Sequence, residues 1–498
     1  MAMHKWTAHR IHRWAGLISA LWLAVLGVTG FFLDHREWRW MWQNGISVSF
    51  LPSQIVEKSH NGVLRLYQNV NKEHHLVGGN TGLWWKHGEQ QWQATRFEGD
   101  TPQVKTLTHI SESSWWLETD QGWWLATDNG VWLSTDNGKT AGQFALANQL
   151  VTSLVQSDVD KIWGIVDRSR VFKLDIATRQ VEWIALAGLS EALLPESIDL
   201  SRLVHDVHFG RGIFSAPWSL LLSDLSAIAL FVLPVTGFMY WWLPRLWRRK
   251  RKQGLCVNKE IKQRWAIWLY RFHAPVVGLV CVLPIVYLSI TGIFLDHSSG
   301  LRNLMKQTRL HQSILPPVYN LPNWDNQIYS LLLEKGNTKH FSLGTRLGLF
   351  STDDSGQSWQ RESLQGKASS FIWTSRQFKE QQFIGGMGGP NYFRKSKNNQ
   401  WVKLPHGAHM PTDVTLTESG QSLWKTQKGL KLFDENGYTD HKIILPKQNY
   451  VPWYYIFDGL HSGLLIHEQW KWLNDFFAIM AMFLVITGLI RWWRVKWL

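Results

Sequence analysis

Four runs of mostly apolar residues, each long enough to cross a bilayer, constrain this chain more than anything else in it. A spanning helix needs about 20 such residues. The runs are Trp14–Leu33, about Leu220–Leu243 with Asp224 near its start, about Ala266–Leu295, and about Phe476–Trp493. The mean hydropathy of −0.18 hides them, because two long polar stretches dilute the average. Near the first run, a basic start invites reading it as a secretory signal. Its length, the lack of a small-x-small site and the following Asp34-His35-Arg36-Glu37 favour a retained anchor instead.

Basic residues give the orientation. The chain carries 52 Lys+Arg against 38 Asp+Glu. They concentrate in the short flanks: Lys5, Arg10 and Arg13; then Arg245, Arg248 to Lys252, Lys259, Lys262 and Arg264; then Arg491, Arg494 and Lys496. The densest cluster abuts an apolar run, so lipid and not nucleic acid is the expected partner. The positive-inside rule puts residues 1–13, 244–265 and 494–498 in the cytoplasm. The long segments 34–219 and 296–475 then lie outside, in the periplasm if the membrane is a Gram-negative inner membrane. The expected fold is a four-helix transmembrane bundle of membrane α + β class, with an internal two-fold repeat and two large periplasmic mainly-β segments. Its spans are 14–33, 220–243, 266–295 and 476–493. The only cysteines, Cys256 and Cys281, fall in the basic loop and a span, and are not expected to pair.

The halves repeat. Thr29-Gly30-Phe31-Phe32-Leu33-Asp34-His35 returns as Thr291-Gly292-Ile293-Phe294-Leu295-Asp296-His297, and Gly16 maps onto Gly278. Arg10-Ile11-His12 parallels Arg271-Phe272-His273 with a one-residue shift, which a kink at Pro275 can absorb. In the other two spans, Asp224, Thr236-Gly237 and Trp241-Trp242 match Asp475, Thr487-Gly488 and Trp492-Trp493. A His-x-Gly triplet precedes each of these: His208-Phe209-Gly210 and His461-Ser462-Gly463. The Thr-Gly pairs read first as close helix packing. A helix so cleared can also approach a flat ligand.

The outer segments are rich in Trp, Thr and Gly with short alternating runs, such as Trp123 to Ser134 around Asp128-Asn129-Gly130, a hairpin-turn signal. Two stretches resemble the structural Asp-box hairpin of sialidase-like β-propellers. They are Ser134 to Thr140, and Ser351 to Trp359 read with Asp353 as the acid and one extra residue. Both segments are therefore expected to be mainly β, with propeller-like blades and Trp-filled cores.

Ionisable groups at membrane-helix ends are functional candidates. The repeat pairs His12 with His273 at the cytoplasmic ends, and His208 with His461 at the outer ends. Two facing imidazoles on apolar helices suit haem, whose iron takes two axial nitrogens and whose ring fits between helices. Two pairs at two depths imply two haems, with Arg10, Arg13, Arg271 and Arg211 as propionate partners. His9 competes with His12, and His35 with His297 forms a third symmetric pair, as an alternative outer haem or metal site. His205 and His467 are weaker candidates. Against this stands the plainer reading that each is an interfacial polar residue. Asp224 and Asp475 read equally as proton carriers, partners of the outer histidines, or helix-start charges.

Arg10 to Leu17, His208-Phe209-Gly210, Arg271-Phe272-His273, Leu460 to Gly463 and the four Thr-Gly pairs, in that order, resemble the PepSY-associated transmembrane family, over roughly a quarter of the chain. That family includes iron-regulated membrane proteins and bacterial ferric-siderophore reductases. The resemblance implies an inner-membrane protein with b-type haem held by histidines, and in some members reduction of periplasmic ferric iron or ferric siderophore. The outer segments depart from it, since no PepSY domain is visible there. No flavin or nicotinamide fingerprint appears; Gly78-Gly79 and Gly385 to Pro390 lack its pattern. Electrons would come from quinol or a cytoplasmic donor, for which the basic loop is a dock. The rival functions are a non-redox membrane-anchored binding or sensor protein and a metal-uptake accessory, although the polar-poor span centres disfavour a transport path.

Overall fold

The structure is a computed structural model that describes residues 2–496 apart from 70–73, 112–119, 159, 256–257, 320–322, 335–336, 365–370, 379, 388–389, 398, 418, 435–436 and 442. Cys256, Gly388 and Gly389 lie outside the described residues, as do the side chains of Lys5, Arg494 and Lys496. The chain forms two compact units, one from Met1–Arg36, Ser197–Tyr319 and Trp453–Leu498, the other from Glu37–Glu196 and Asn320–Pro452.

The first unit is helical. Its main helices are α1 (Ala2–Asp34), α2 (Leu200–His208), α3 (Ala216–Lys252), α4 (Lys259–Arg271), α5 (Val282–Asp296), α6 (Trp453–Ser462) and α7 (Lys471–Lys496). Among the described residues three helices are long and apolar enough to cross a membrane: His9–Asp34, Pro217–Lys252 and Glu468–Trp493. The expected third span is a bent pair, Lys259–Gly278 and Val282–Asp296, turning by 62°. The cause is local. The stretch from His273 to Thr291 is one residue longer than that from His12 to Thr29. A π-helical turn over Phe272–Gly278 takes up the extra residue, and Pro275 within it lacks the N–H a regular helix would use. The expected basic loop is also mostly helix, since α3 runs on to Lys252 and Asn258 caps α4 by accepting from Glu260 N at 2.9 Å. Leu23, Ala229, Cys281, Ile285, Phe477 and Ala481 bring α1, α3, α5 and α7 to one apolar core. At Gly27 an added Cβ would stand 2.6 Å from the Ala227 carbonyl oxygen, so α1 and α3 touch backbone to backbone.

The second unit is one β-propeller of six blades, and neither outer segment completes it alone. Six meander sheets cover 64–94, 104–145, 151–184, 328–361, 372–403 and 411–440, with Arg96–Phe97 added to the second. Their first strands pack in a closed ring, each against the next and the sixth against the first. Gly45–Ser47 pairs antiparallel with Tyr450–Pro452, which ties the two ends of the unit together. Trp124, Trp132 and Trp424 are among the largest fully buried side chains, so these Trp fill blade cores as expected.

The two Asp boxes are turns. Asp136 accepts from Thr140 N at 2.8 Å and from Thr140 Oγ1 at 2.7 Å. In the other box the acid is Asp354 and not Asp353. Asp354 accepts from Ser358 N at 2.8 Å and Ser358 Oγ at 2.6 Å, and Gly356 N donates to Thr352 Oγ1 at 2.9 Å. Starting at Thr352, the second box has the spacing of the first with no extra residue, and Trp359 takes the place of Ala141. The same left-handed pair recurs, with φ of 59° and 89° at Asn137 and Gly138, and 61° and 90° at Ser355 and Gly356.

Candidate cofactor-binding site

The repeat brings four histidines of the helical unit together in two pairs. His12 and His273 have ring centroids 6.4 Å apart at 88°. His208 and His461 have centroids 6.3 Å apart at 62°. A metal–imidazole bond is about 2.0 Å and the nitrogen lies about 1.1 Å from its ring centre, so two imidazoles on opposite sides of one ion have centres about 6.2 Å apart. Both pairs match that spacing.

Each ring is held by the Thr-Gly pair of another helix. The Nδ1 of His12 meets Thr487 Oγ1 at 2.8 Å, that of His273 meets Thr236 at 2.9 Å, that of His208 meets Thr291 at 3.0 Å, and that of His461 meets Thr29 at 2.9 Å. Every one of these hydroxyls donates its own proton one turn back along its helix, to the carbonyls of Phe483, Val232, Tyr287 and Val25 at 2.7–2.9 Å. The threonine oxygen therefore accepts, the imidazole carries its proton on Nδ1, and the Nε2 lone pair is left for a ligand. The glycine after each threonine makes the room. A Cβ on Gly488, Gly237, Gly292 or Gly30 would stand 3.3–3.4 Å from Cε1 of the histidine held there. The Thr-Gly pairs, read from sequence mainly as packing residues, are thus histidine cradles. Their equal placement in all four spans was the available signal.

The His-x-Gly triplets have a separate explanation. Gly210 and Gly463 adopt φ of +61° and +77°, the left-handed turn that ends α2 and α6 just past the histidine. Burial among apolar neighbours pushes the His208 imidazole down to about 3, helped by the adjacent His461 and His205, and lowers His461 as well.

Around the inner pair lies a cavity of about 430 Å³, within the range of small-molecule sites. Gly16, Gly278, Gly237 and Gly488 line it together with Leu230, Leu233, Leu484 and Val485. Arg13, Arg245, Arg248 and Arg491 also line it. Of the four arginines expected to meet propionates, only Arg13 is in this wall. Arg10 and Arg271 are exposed, and Arg211 lies over the Phe209 ring at 5.6 Å, beside the outer pair. Arg245, Arg248 and Arg491 were assigned to orientation alone by the sequence. Arg491 lies one turn past Thr487, on the side of α7 that carries the cradle. His9 lines the cavity, but it is His12 whose ring meets His273.

In the third symmetric pair each histidine meets an aspartate. His35 Nε2 lies 3.2 Å from Asp224, and His297 Nε2 lies 2.6 Å from Asp475. Each histidine is thus tied to the acid at the start of a neighbouring span. His205 lies against Phe209, ring centres 4.6 Å apart and tilted by 41°, and His467 caps a short turn by accepting from Gln469 N. Among the described residues no three His, Cys, Asp or Glu gather around a point that could hold a bare metal ion. A porphyrin brings four nitrogens of its own and needs only two from the protein. The residues present fit that group.

No family model and no curated protein matches the chain. Solved structures similar to it include an ancestral GH74 enzyme (9% identity, 80% of this chain and 39% of that one, TM-score 0.35). Another is the Cps50 (Swd1) β-propeller domain of Myceliophteria thermophila (9%, 78% and 88%, 0.36), and a third is YCF48 from Cyanidioschyzon merolae (10%, 74% and 94%, 0.30). The chain spans about two fifths of the first of these.

Proposed function

We propose that the protein is a haem b-containing electron-transfer protein of a bacterial inner membrane, related to the PepSY-associated transmembrane family, that passes electrons outward to ferric iron or a ferric siderophore. The observation that carries this is the fourfold cradle: two imidazole pairs at metal-bridging distance, each ring with Nδ1 bonded and Nε2 free. His12 with His273 would hold one haem and His208 with His461 the other, supplying one-electron chemistry at two depths. Arg13, Arg245, Arg248 and Arg491 line the cavity and would supply the positive charge that propionates require. The apolar wall of Leu230, Leu233, Leu484 and Val485 would keep water from a group held there. His35–Asp224 and His297–Asp475 serve as structural ties in this reading.

The membrane assignment is supported by the helices' apolar exteriors, with Leu21 78% and Leu283 76% exposed. Four crossings with cytoplasmic termini follow from the basic flanks, the bent pair counting as one. The electron source is a quinol or a cytoplasmic donor. The test is haem content by site: replacing His12 and His273 with Ala should remove one haem, replacing His208 and His461 the other, and all four changes should abolish reduction of a ferric chelate added on the outer side. A preparation that stays colourless, with these variants as active as the parent, would favour the non-redox anchored propeller.

A further inference from the structure

We propose that the hydroxyl of each cradle threonine is a positioning group that fixes the tautomer of its histidine and sets how strongly that imidazole donates electrons to the metal. This rests on the haem reading above.

Helix packing alone does not ask for a hydroxyl at Thr29, Thr236, Thr291 or Thr487. Valine has the same shape and would pack as closely. The four sites lie on four different helices, yet each repeats one arrangement. The hydroxyl proton goes to the carbonyl four residues back, at 2.7, 2.7, 2.7 and 2.9 Å. The same oxygen stands 2.8–3.0 Å from Nδ1. A hydroxyl that is already donating is a better acceptor, because chained hydrogen bonds polarise one another. Acceptance at Nδ1–H makes Nε2 more basic, and outer partners of this kind govern ligand orientation and metal affinity. A more basic imidazole pair favours the ferric over the ferrous ion. The threonines therefore hold the site potential low, which suits a protein that must give electrons to a ferric acceptor.

The experiment uses the full-length protein, with Thr236→Val and Thr487→Val combined for the inner pair, Thr29→Val and Thr291→Val for the outer pair, and the matching Ser variants. Each is titrated potentiometrically while its absorption spectrum is followed. The expected result is a tenfold weaker preference for the ferric state at the altered pair, about 59 mV upward for one electron, with the Ser variants restored to the parent value. Loss of haem from the altered pair in the Val variant, and its retention in the Ser variant, supports the same role. Val variants that keep both haems at the parent potentials overturn the proposal while leaving the haem reading intact. Val and Ser variants that fail alike also overturn it, since shape and not the hydroxyl would then be at work. A parent protein that binds no haem overturns the haem reading itself, and this proposal with it.

Discussion

Replacing Gly237 with Leu should empty the inner histidine pair and leave the rest of the protein folded. A Cβ at this position would stand 3.3 Å from His273 Cε1, inside the optimum of about 3.5–4.0 Å for carbon contacts. Alanine alone asks the ring to yield by a few tenths of an ångström. Leucine adds three more carbons where the imidazole lies, so the ring must swing out and break its 2.9 Å bond to Thr236. Ligand geometry must be kept within about 0.5 Å for a site to work, and this displacement exceeds it. The helix gains, since Leu is a better helix former than Gly by roughly 0.8 kcal/mol. Haem per protein, measured chemically after denaturation, should fall from two to one, while circular dichroism and the thermal transition stay as in the parent. Gly237→Ala should keep both haems and bind the inner one about tenfold more weakly. A Leu variant that still carries two haems would refute the reasoning.

Other outcomes follow from the same geometry. Replacing His35 and His297 with Gln should leave the haem spectrum unchanged, because each Nε2 already lies against an aspartate; loss of a haem would make them ligands after all. Asp413 is 1% exposed and joins three blades, accepting from Arg376 Nε at 2.9 Å, Gln68 Nε2 at 2.9 Å and Tyr67 N at 3.3 Å. Asp413→Ala leaves the partly buried Arg376 guanidinium without this partner and should cost about 3 kcal/mol, seen in urea unfolding and in faster amide exchange at 64–69 and 411–416. The Ser358 hydroxyl and backbone N–H, with Thr352, hold the Asp354 carboxyl down to about 2. An unfolded Asp titrates near about 3.9, so this contribution is fully present above that pH and is lost as pH falls through the folded value. Amide exchange in residues 352–359 should rise in that window, and D354N should flatten the dependence.

The sequence exposed what is periodic and duplicated. The apolar runs, the paired histidines and the Trp-rich strands each announce themselves through composition and repeat. His12 and His273 could be matched before any coordinates because the flanking Arg and the downstream Thr-Gly recur. What could not be read was contact between segments far apart in the chain. That Thr487 holds His12, and Thr29 holds His461, joins residues from opposite ends. The joining of three blades from each outer segment into one ring is of the same kind. Pro275 signalled a kink, yet the size of the bend depends on how the extra residue is absorbed, and a π-helical turn is not written in residue types. The second Asp box is read one residue out of register from sequence because Asp353 and Asp354 are adjacent, and it is the bonds from Thr352 and Ser358 that single out Asp354.

The most direct measurement is one absorption spectrum of the detergent-purified protein, recorded before and after dithionite, with haem quantified against chain. Two haems held by the cradle histidines should give the sharp reduced bands of six-coordinate haem b at two per chain, both lost when all four histidines become alanine. A colourless protein that takes up no haem when it is supplied, or a pigment that survives the four replacements, would contradict it.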